Sequence, residues 1–173
     1  MKRIAEFYKV SFSQFAKDYR EINPNNKLSD GEIKAIYDSI KLPERSTSGS
    51  AGYDIFLPYS ITLKAGEEIT IPTGIRFKCR KDFGFFILSR SGLGTRNRLQ
   101  INTAISLIDS DYFYSSNEGH IITRIIHDAR DPKAVLTIDS GKGYLQGVFF
   151  QYGITKSDKA SGVRNGGFGS TNK

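Results

Sequence analysis

Three short stretches concentrate the side chains that could do chemistry. The run SRSGLGTRNRL, residues 89 to 99, packs Ser89, Arg90, Ser91, Gly92 and Gly94 directly behind the apolar segment FGFFIL. An arginine fork suits phosphate oxygens, a serine hydroxyl adds a donor, and glycine lets the backbone approach an anion. A polar β-turn with solvated arginines is the plainer reading of the same residues. The run LIDSDYFYSSNEGHI, residues 107 to 121, leads an apolar strand into Asp109, Asp111 and Tyr112. Carboxylates two apart on a strand share a face, where they could hold a metal or serve as a base and its neighbour. A hairpin turn capped by aspartates would look alike. The third stretch, GGFGSTNK at residues 166 to 173, has too little apolar surface around Phe168 to build a core. It reads either as a disordered tail or as a lid. In the lid, backbone N–H groups with the Ser170 and Thr171 hydroxyls wrap a phosphate chain while Phe168 covers something flat.

The whole-chain totals narrow the setting. With 173 residues and one cysteine, Cys79, the chain is expected to be one domain without a disulfide framework, cytoplasmic, and with no membrane segment. A net charge of +7 favours an anionic partner. Nucleic acid is not expected, because the basic run Arg96 to Arg98 is short, lacks interleaved aromatics and has no DNA-binding motif beside it. His120 and His127 with one cysteine are too few for a zinc site, so any metal should be a hard cation on carboxylates, phosphates and water.

The elements that must hold these stretches follow from periodicity. Phe15, Tyr19 and Ile22 repeat at helical spacing, and Ser29 with Glu32 forms a capping box ahead of Ile33, Ile36, Tyr37 and Ile40, which predicts a small helical insertion over about residues 11 to 41. From residue 50 the period becomes that of strands: YDIFLP, SITL, EEITIP, GIRFKC, FGFFIL, RLQINTAISLI, GHIITRIIH, AVLTI and YLQGVFFQYGI. Many short strands with turns between them predict an all-β sandwich, jelly roll or barrel.

The order of the motifs carries more than any one of them. SAGYDI, then SRSGLG, then LIDSDY, then Gln146 in GYLQGVFF, then GGFGST resembles the five ordered motifs of the homotrimeric dUTPase family, from about residue 42 to 173. The NEGHI stretch looks like members from low-GC Gram-positive bacteria and their phages. The resemblance implies a jelly-roll-like β-barrel and a flexible C-terminal arm over 162 to 173, and with the helical insertion of about residues 11 to 41 included the single domain is expected to run over residues 1 to 161. It also implies a homotrimer with sites shared between chains, and hydrolysis of dUTP to dUMP and pyrophosphate with magnesium. Carried over by position, Asp109 is the base that activates water for attack on the α-phosphorus, with Gln146 beside it. Arg90, Ser91 and Gly92 bind phosphates, the hairpin through Ser106 and Ile108 touches uracil, and Tyr112 lies under the deoxyribose and excludes a 2′-hydroxyl. Arg164, Phe168, Gly169, Ser170 and Thr171 belong to the arm that closes over nucleotide, reaching a site whose base comes from another chain. Asp54 reaches the magnesium through water.

Departures from the family pattern are Ser106 and Gly143, where glycine and arginine are usual, Arg164 one residue nearer to GGF, and Asn172 for a final glycine. Residues 1 to 41 are not explained by the pattern. Two rivals remain beside the hydrolase. One is a dCTP deaminase-like enzyme, disfavoured by the Asp109 and Tyr112 pattern. The other is a binding module of the same fold that holds a regulatory protein partner, as some phage members do.

Overall fold

The computed structural model describes residues 2 to 166. The chain opens with strand β1 (Ala5–Lys9) and two helices, α1 (Phe12–Ile22) and α2 (Asp30–Ser39). Both helices are capped as their sequences require. Ser11 accepts from the Gln14 N–H at the start of α1, and Ser29 with Glu32 completes a reciprocal capping box at α2.

Ten further strands follow: β2 (Tyr53–Phe56), β3 (Ile61–Lys64), β4 (Glu68–Pro72), β5 (Ile75–Cys79), β6 (Phe83–Ser89), β7 (Leu99–Ile101), β8 (Ser106–Ile108), β9 (Ile122–His127), β10 (Val135–Ile138) and β11 (Gly143–Gln151). They pair antiparallel in four sheets: β1-β5, β10-β3, β2-β11-β6-β8 and β4-β9-β7. Among the described residues the architecture is mostly β, with three helices, and the expected closed barrel is not found, because no ladder joins one sheet to the next. Strand β1 was not predicted; its mixed sequence AEFYK follows the alternating burial of a half-exposed edge. The predicted single strand RLQINTAISLI is also broken. β7 pairs with β9 and β8 with β6, and a turn with Ala104 at φ 62° separates them.

Strand β6 is the spine of the site. It lies between β11 and β8, and its residues Phe85 and Ile87 are buried to the core. Phe85 packs its ring directly over Gly147 of β11, where a Cβ would stand 2.0 Å from the ring, so only glycine lets the two strands keep this spacing. The helical pair is seated in the same manner. Gly74 has φ 73°, and a Cβ there would meet Ile40 at 2.2 Å and Phe15 at 3.3 Å. Phe15, Tyr19, Ile33 and Ile40 thereby join the main core. Among the described residues no helix is long and apolar enough to cross a membrane.

Candidate active site

The expected residues gather in two separate places. The first is a cleft of about 250 Å³ lined by Ser106, Ile108, Asp109, Tyr112 and Arg164 together with Ile87, Thr103 and Ile105. One wall is β8, the edge strand of the four-stranded sheet, which spends one side on β6 and leaves its other backbone N–H and C=O groups for a ligand. The strand ends at Ile108. Asp109 then takes an extended conformation, φ −80° and ψ 156°, as the cap of a 3-10 helix over Ser110–Tyr114.

This corrects the expectation that Asp109 and Asp111 share a strand face, since the strand has already turned by Asp111. Arg164 reunites them: its Nη2 donates to Asp109 Oδ2, and its Nε donates to Asp111 Oδ1 at 2.9 Å. The beginning of the C-terminal segment therefore lies against the cleft of its own chain.

Tyr112 is held from behind. Its side chain is 7% exposed, its hydroxyl donates to the His120 carbonyl at 2.9 Å, and it accepts from Asn117 Nδ2 at 2.8 Å. Burial raises the phenol pKa above its usual value, so the hydroxyl stays a neutral donor. The ring is fixed with one side left to the cleft.

The second place is a hollow lined by Arg90, Ser91, Gly92, Leu93, Arg96 and Asn97. The turn predicted here is in fact a short helix, α3 (Ser91–Asn97). Arg90 enters it extended, Gly94 N–H donates to Arg90 C=O at 2.8 Å, and Arg98 ends it in the left-handed region at φ 52°. Polar and glycine-rich sequence concealed the helix, and none of its residues is buried.

Arg90 is pinned from two sides. Its Nε is 3.0 Å from Asp54 Oδ1, and its Nη1 donates to the Gly143 carbonyl at 2.7 Å. Gln146 stands opposite Asp54 in the β2–β11 register and donates to the Ser89 carbonyl at 3.1 Å. Asp54, Arg90 and Gln146 thus form one polar cluster at the end of β6. The unusual Gly143 has a physical reason, because a Cβ there would come within 2.9 Å of Arg90 Nη1. The guanidinium occupies the room a side chain would need.

These two places lie at opposite ends of β6. Ile108 pairs with Phe85, so Asp109 leaves the sheet beside Gly84, whereas Arg90 follows Ser89. At about 3.3 Å per residue the six steps between Gly84 and Arg90 span about 20 Å. Within one chain the carboxylate of Asp109 does not meet the phosphate-type cluster. Phe168, Gly169, Ser170 and Thr171 lie outside the described residues.

Several residues behind the cleft had no role in the sequence reading. Asn117 and His120 anchor Tyr112, Glu118 caps α1, and Asp18 of α1 pairs with His120. Only the polar run NEGHI hinted at them, and nothing in it foretold a fully buried histidine. Among the described residues no group of three or more His, Cys, Asp or Glu is arranged to hold a metal ion.

Comparison with known proteins identifies the family of the chain. The family model described as dUTPase matches residues 38–116. A deoxyuridine 5′-triphosphate nucleotidohydrolase of Lactococcus lactis is 33% identical over 135 residues, covering 76% of this chain and 88% of the relative. The crystal structure of a dUTPase from Streptococcus mutans aligns with TM-score 0.61 at 25% identity, over 69% of this chain and 91% of that one. A dUTPase of phage phi11 of S. aureus, in which a structural Mg(II) ion is coordinated, shares the fold with TM-score 0.63 at 17% identity, over 92% of this chain and 98% of that one. Identity of this extent across most of both chains, joined to the ordered motifs, makes the chain a member of the dUTPase family, a dUTP diphosphatase that hydrolyses dUTP.

Proposed function

We propose that dUTP is hydrolysed here by Asp109 of one chain acting on phosphates held by Arg90, Ser91, Gly92 and Gln146 of another, in a homotrimer with sites shared between chains. The observation that carries this is the separation of about 20 Å along β6, which follows from the register of β8 on β6. A base must stand within hydrogen-bond reach of its water, and a triphosphate bound near Arg90 would lie far outside that reach in a single chain.

In the assembled site the edge of β8 through Ser106 and Ile108 reads uracil with backbone donors and acceptors, and Tyr112 lies beneath the deoxyribose where a 2′-hydroxyl would strike it. Asp109 takes a proton from water as the water oxygen bonds to the α-phosphorus. The bond from that phosphorus to the bridging oxygen breaks, and pyrophosphate leaves. Gln146 orients the water, and the Arg90 fork with the α3 hydroxyl and backbone meets the charge on the phosphates. Arg164 donates to Asp109 and Asp111, and a triphosphate would draw it off by its greater charge, leaving the Asp109 carboxylate for water. Phe168, Gly169, Ser170 and Thr171 complete the closing arm, with Phe168 on the base. The residues present fit magnesium as a cation carried by the substrate. Asp54 would offer it one hard oxygen by way of water. When bound, the cation neutralises phosphate charge.

Pyrophosphate release from dUTP, dTTP, dCTP and UTP tests the substrate: dUTP alone should turn over efficiently, and comparable rates on dCTP or UTP would sink the assignment. Co-expression of Asp109→Asn with Arg90→Ala tests the sharing. In a cyclic trimer every mixed assembly regains one intact site, and random equal mixing gives about three quarters mixed trimers, so about a quarter of wild-type activity should return. Recovery near zero, with mixed trimers confirmed by native mass spectrometry, would assign base and clamp to one chain.

A further inference from the structure

Helix α1 reaches the loop behind the cleft through buried polar groups. Asp18 of α1 and His120 are 6% and 0% exposed, a depth at which polar side chains need partners to be tolerated at all. Asp18 Oδ2 is 2.5 Å from His120 Nδ1, and it accepts a second bond from Gln14 Nε2 at 2.9 Å. His120 Nε2 accepts from the Gly74 N–H at 2.7 Å, which puts the ring proton on Nδ1, facing Asp18. The carbonyl of this same histidine receives the Tyr112 hydroxyl.

The loop between Tyr112 and His120 has little room to adjust. Glu118 at φ 60° and Gly119 at φ 69° are consecutive left-handed residues. A Cβ on Gly119 would lie 2.7 Å from both the Tyr112 carbonyl oxygen and Phe113 Cα. Helix α1 clasps the loop a second time, because Glu118 accepts from the Ser11 N–H at 2.8 Å and the Ser11 hydroxyl at 2.6 Å.

We propose that α1 is a positioning element for sugar discrimination: Asp18, acting through His120, fixes the carbonyl that anchors the Tyr112 hydroxyl, so the helical pair sets how firmly the ring opposes a 2′-hydroxyl. This rests on the reading of Tyr112 as the residue beneath the sugar. Removing the Asp18 carboxylate strands the buried Nδ1–H of His120, the loop shifts to satisfy it, and the ring moves with its anchor.

The test is the ratio of kcat/KM for dUTP to that for UTP. Tyr112→Ala sets the scale by narrowing the ratio. Asp18→Ala should lower it about tenfold, the range expected when a reacting or excluding group is displaced by a fraction of an ångström. Asp18→Asn keeps an acceptor for His120 and should recover most of the loss. In a Tyr112→Phe background, which cuts the hydroxyl link, adding Asp18→Ala should change the ratio less than about twofold. If Asp18→Ala slows both nucleotides equally while Tyr112→Ala moves the ratio, α1 is a scaffold and the relay is refuted. An unmoved ratio in Tyr112→Ala would remove the sugar reading and the relay together. Should Asp18→Ala not fold, Tyr112→Phe alone decides, since an unchanged ratio there leaves the anchor without a function.

Discussion

The cleft around Tyr112 and the hollow around Arg90 are built on opposite plans. Around Tyr112 the groups are buried, cross-linked and backed by a helix, with the ring anchored at both sides of its hydroxyl. Around Arg90 they ride on a seven-residue helix with no buried residue, and the arginine is held at the surface by Asp54 and the Gly143 carbonyl. The difference fits what each is proposed to recognise. Rejecting one hydroxyl on a sugar depends on a wall that does not yield, whereas a triphosphate brings enough charge to organise exposed donors. Under the proposed sharing of sites, the cleft would be supplied by one chain and the hollow by another.

The largest effect should come from the point where the two plans meet. Asp109→Asn is expected to retain nucleotide binding and lower kcat by at least about a hundredfold, the lower range for losing a positioned base. A loss of only two- to threefold in single-turnover assays would make Asp109 a structural cap of the 3-10 helix. Arg90→Ala should act mainly on KM, by about tenfold to a hundredfold, since it removes a charge-assisted fork proposed to hold the phosphates before and during reaction. An effect confined to kcat would move Arg90 from the binding side to the transition state.

What the sequence made legible follows the same division. Asp109, Tyr112, Arg90 and Gln146 stand out as candidates because their motifs are local and ordered, and the strands around them alternate plainly. The separation of Asp109 from Arg90 was not readable, because it depends on β8 pairing with β6 at Phe85–Ile108 instead of continuing β7. The α3 helix escaped because its glycines speak for a turn, and its formation rests on the hydrogen bonds at Arg90 and Arg98. The buried Asp18–His120 pair escaped for a different reason, since its partners are 102 residues apart and each looks like an ordinary surface residue.

A milder substitution probes the open side. Gly143→Ala would push a methyl group into the Arg90 guanidinium, which lies 2.9 Å from the new Cβ. The fork is the free end of a flexible side chain and should give way, raising KM for dUTP by about threefold to fivefold with kcat little changed. No change in KM would mean that the contact with Gly143 does not set where the fork points.

The smallest expected effect is on stability in acid, and it tests the braced side. Burial pushes the Asp18 carboxyl pKa up, but the hydrogen bonds from His120 and Gln14 outweigh that and hold it below the usual value. Glu118 behaves alike, with burial opposed by the Ser11 hydroxyl and N–H and by Arg76. A carboxyl whose folded pKa is depressed contributes stability that is fully present above its unfolded pKa, about 4, and is lost as pH falls through the folded value. Both carboxylates fasten α1 to the loop behind Tyr112, so acid should loosen that junction. The melting temperature of the wild-type protein should fall more steeply from pH 5 to pH 3 than that of Asp18→Asn, although the variant starts lower at neutral pH. Parallel slopes would mean that the Asp18 charge contributes nothing to the junction beyond an acceptor. In that case the amide would serve as well, and the bracing of Tyr112 would rest on hydrogen-bond geometry alone.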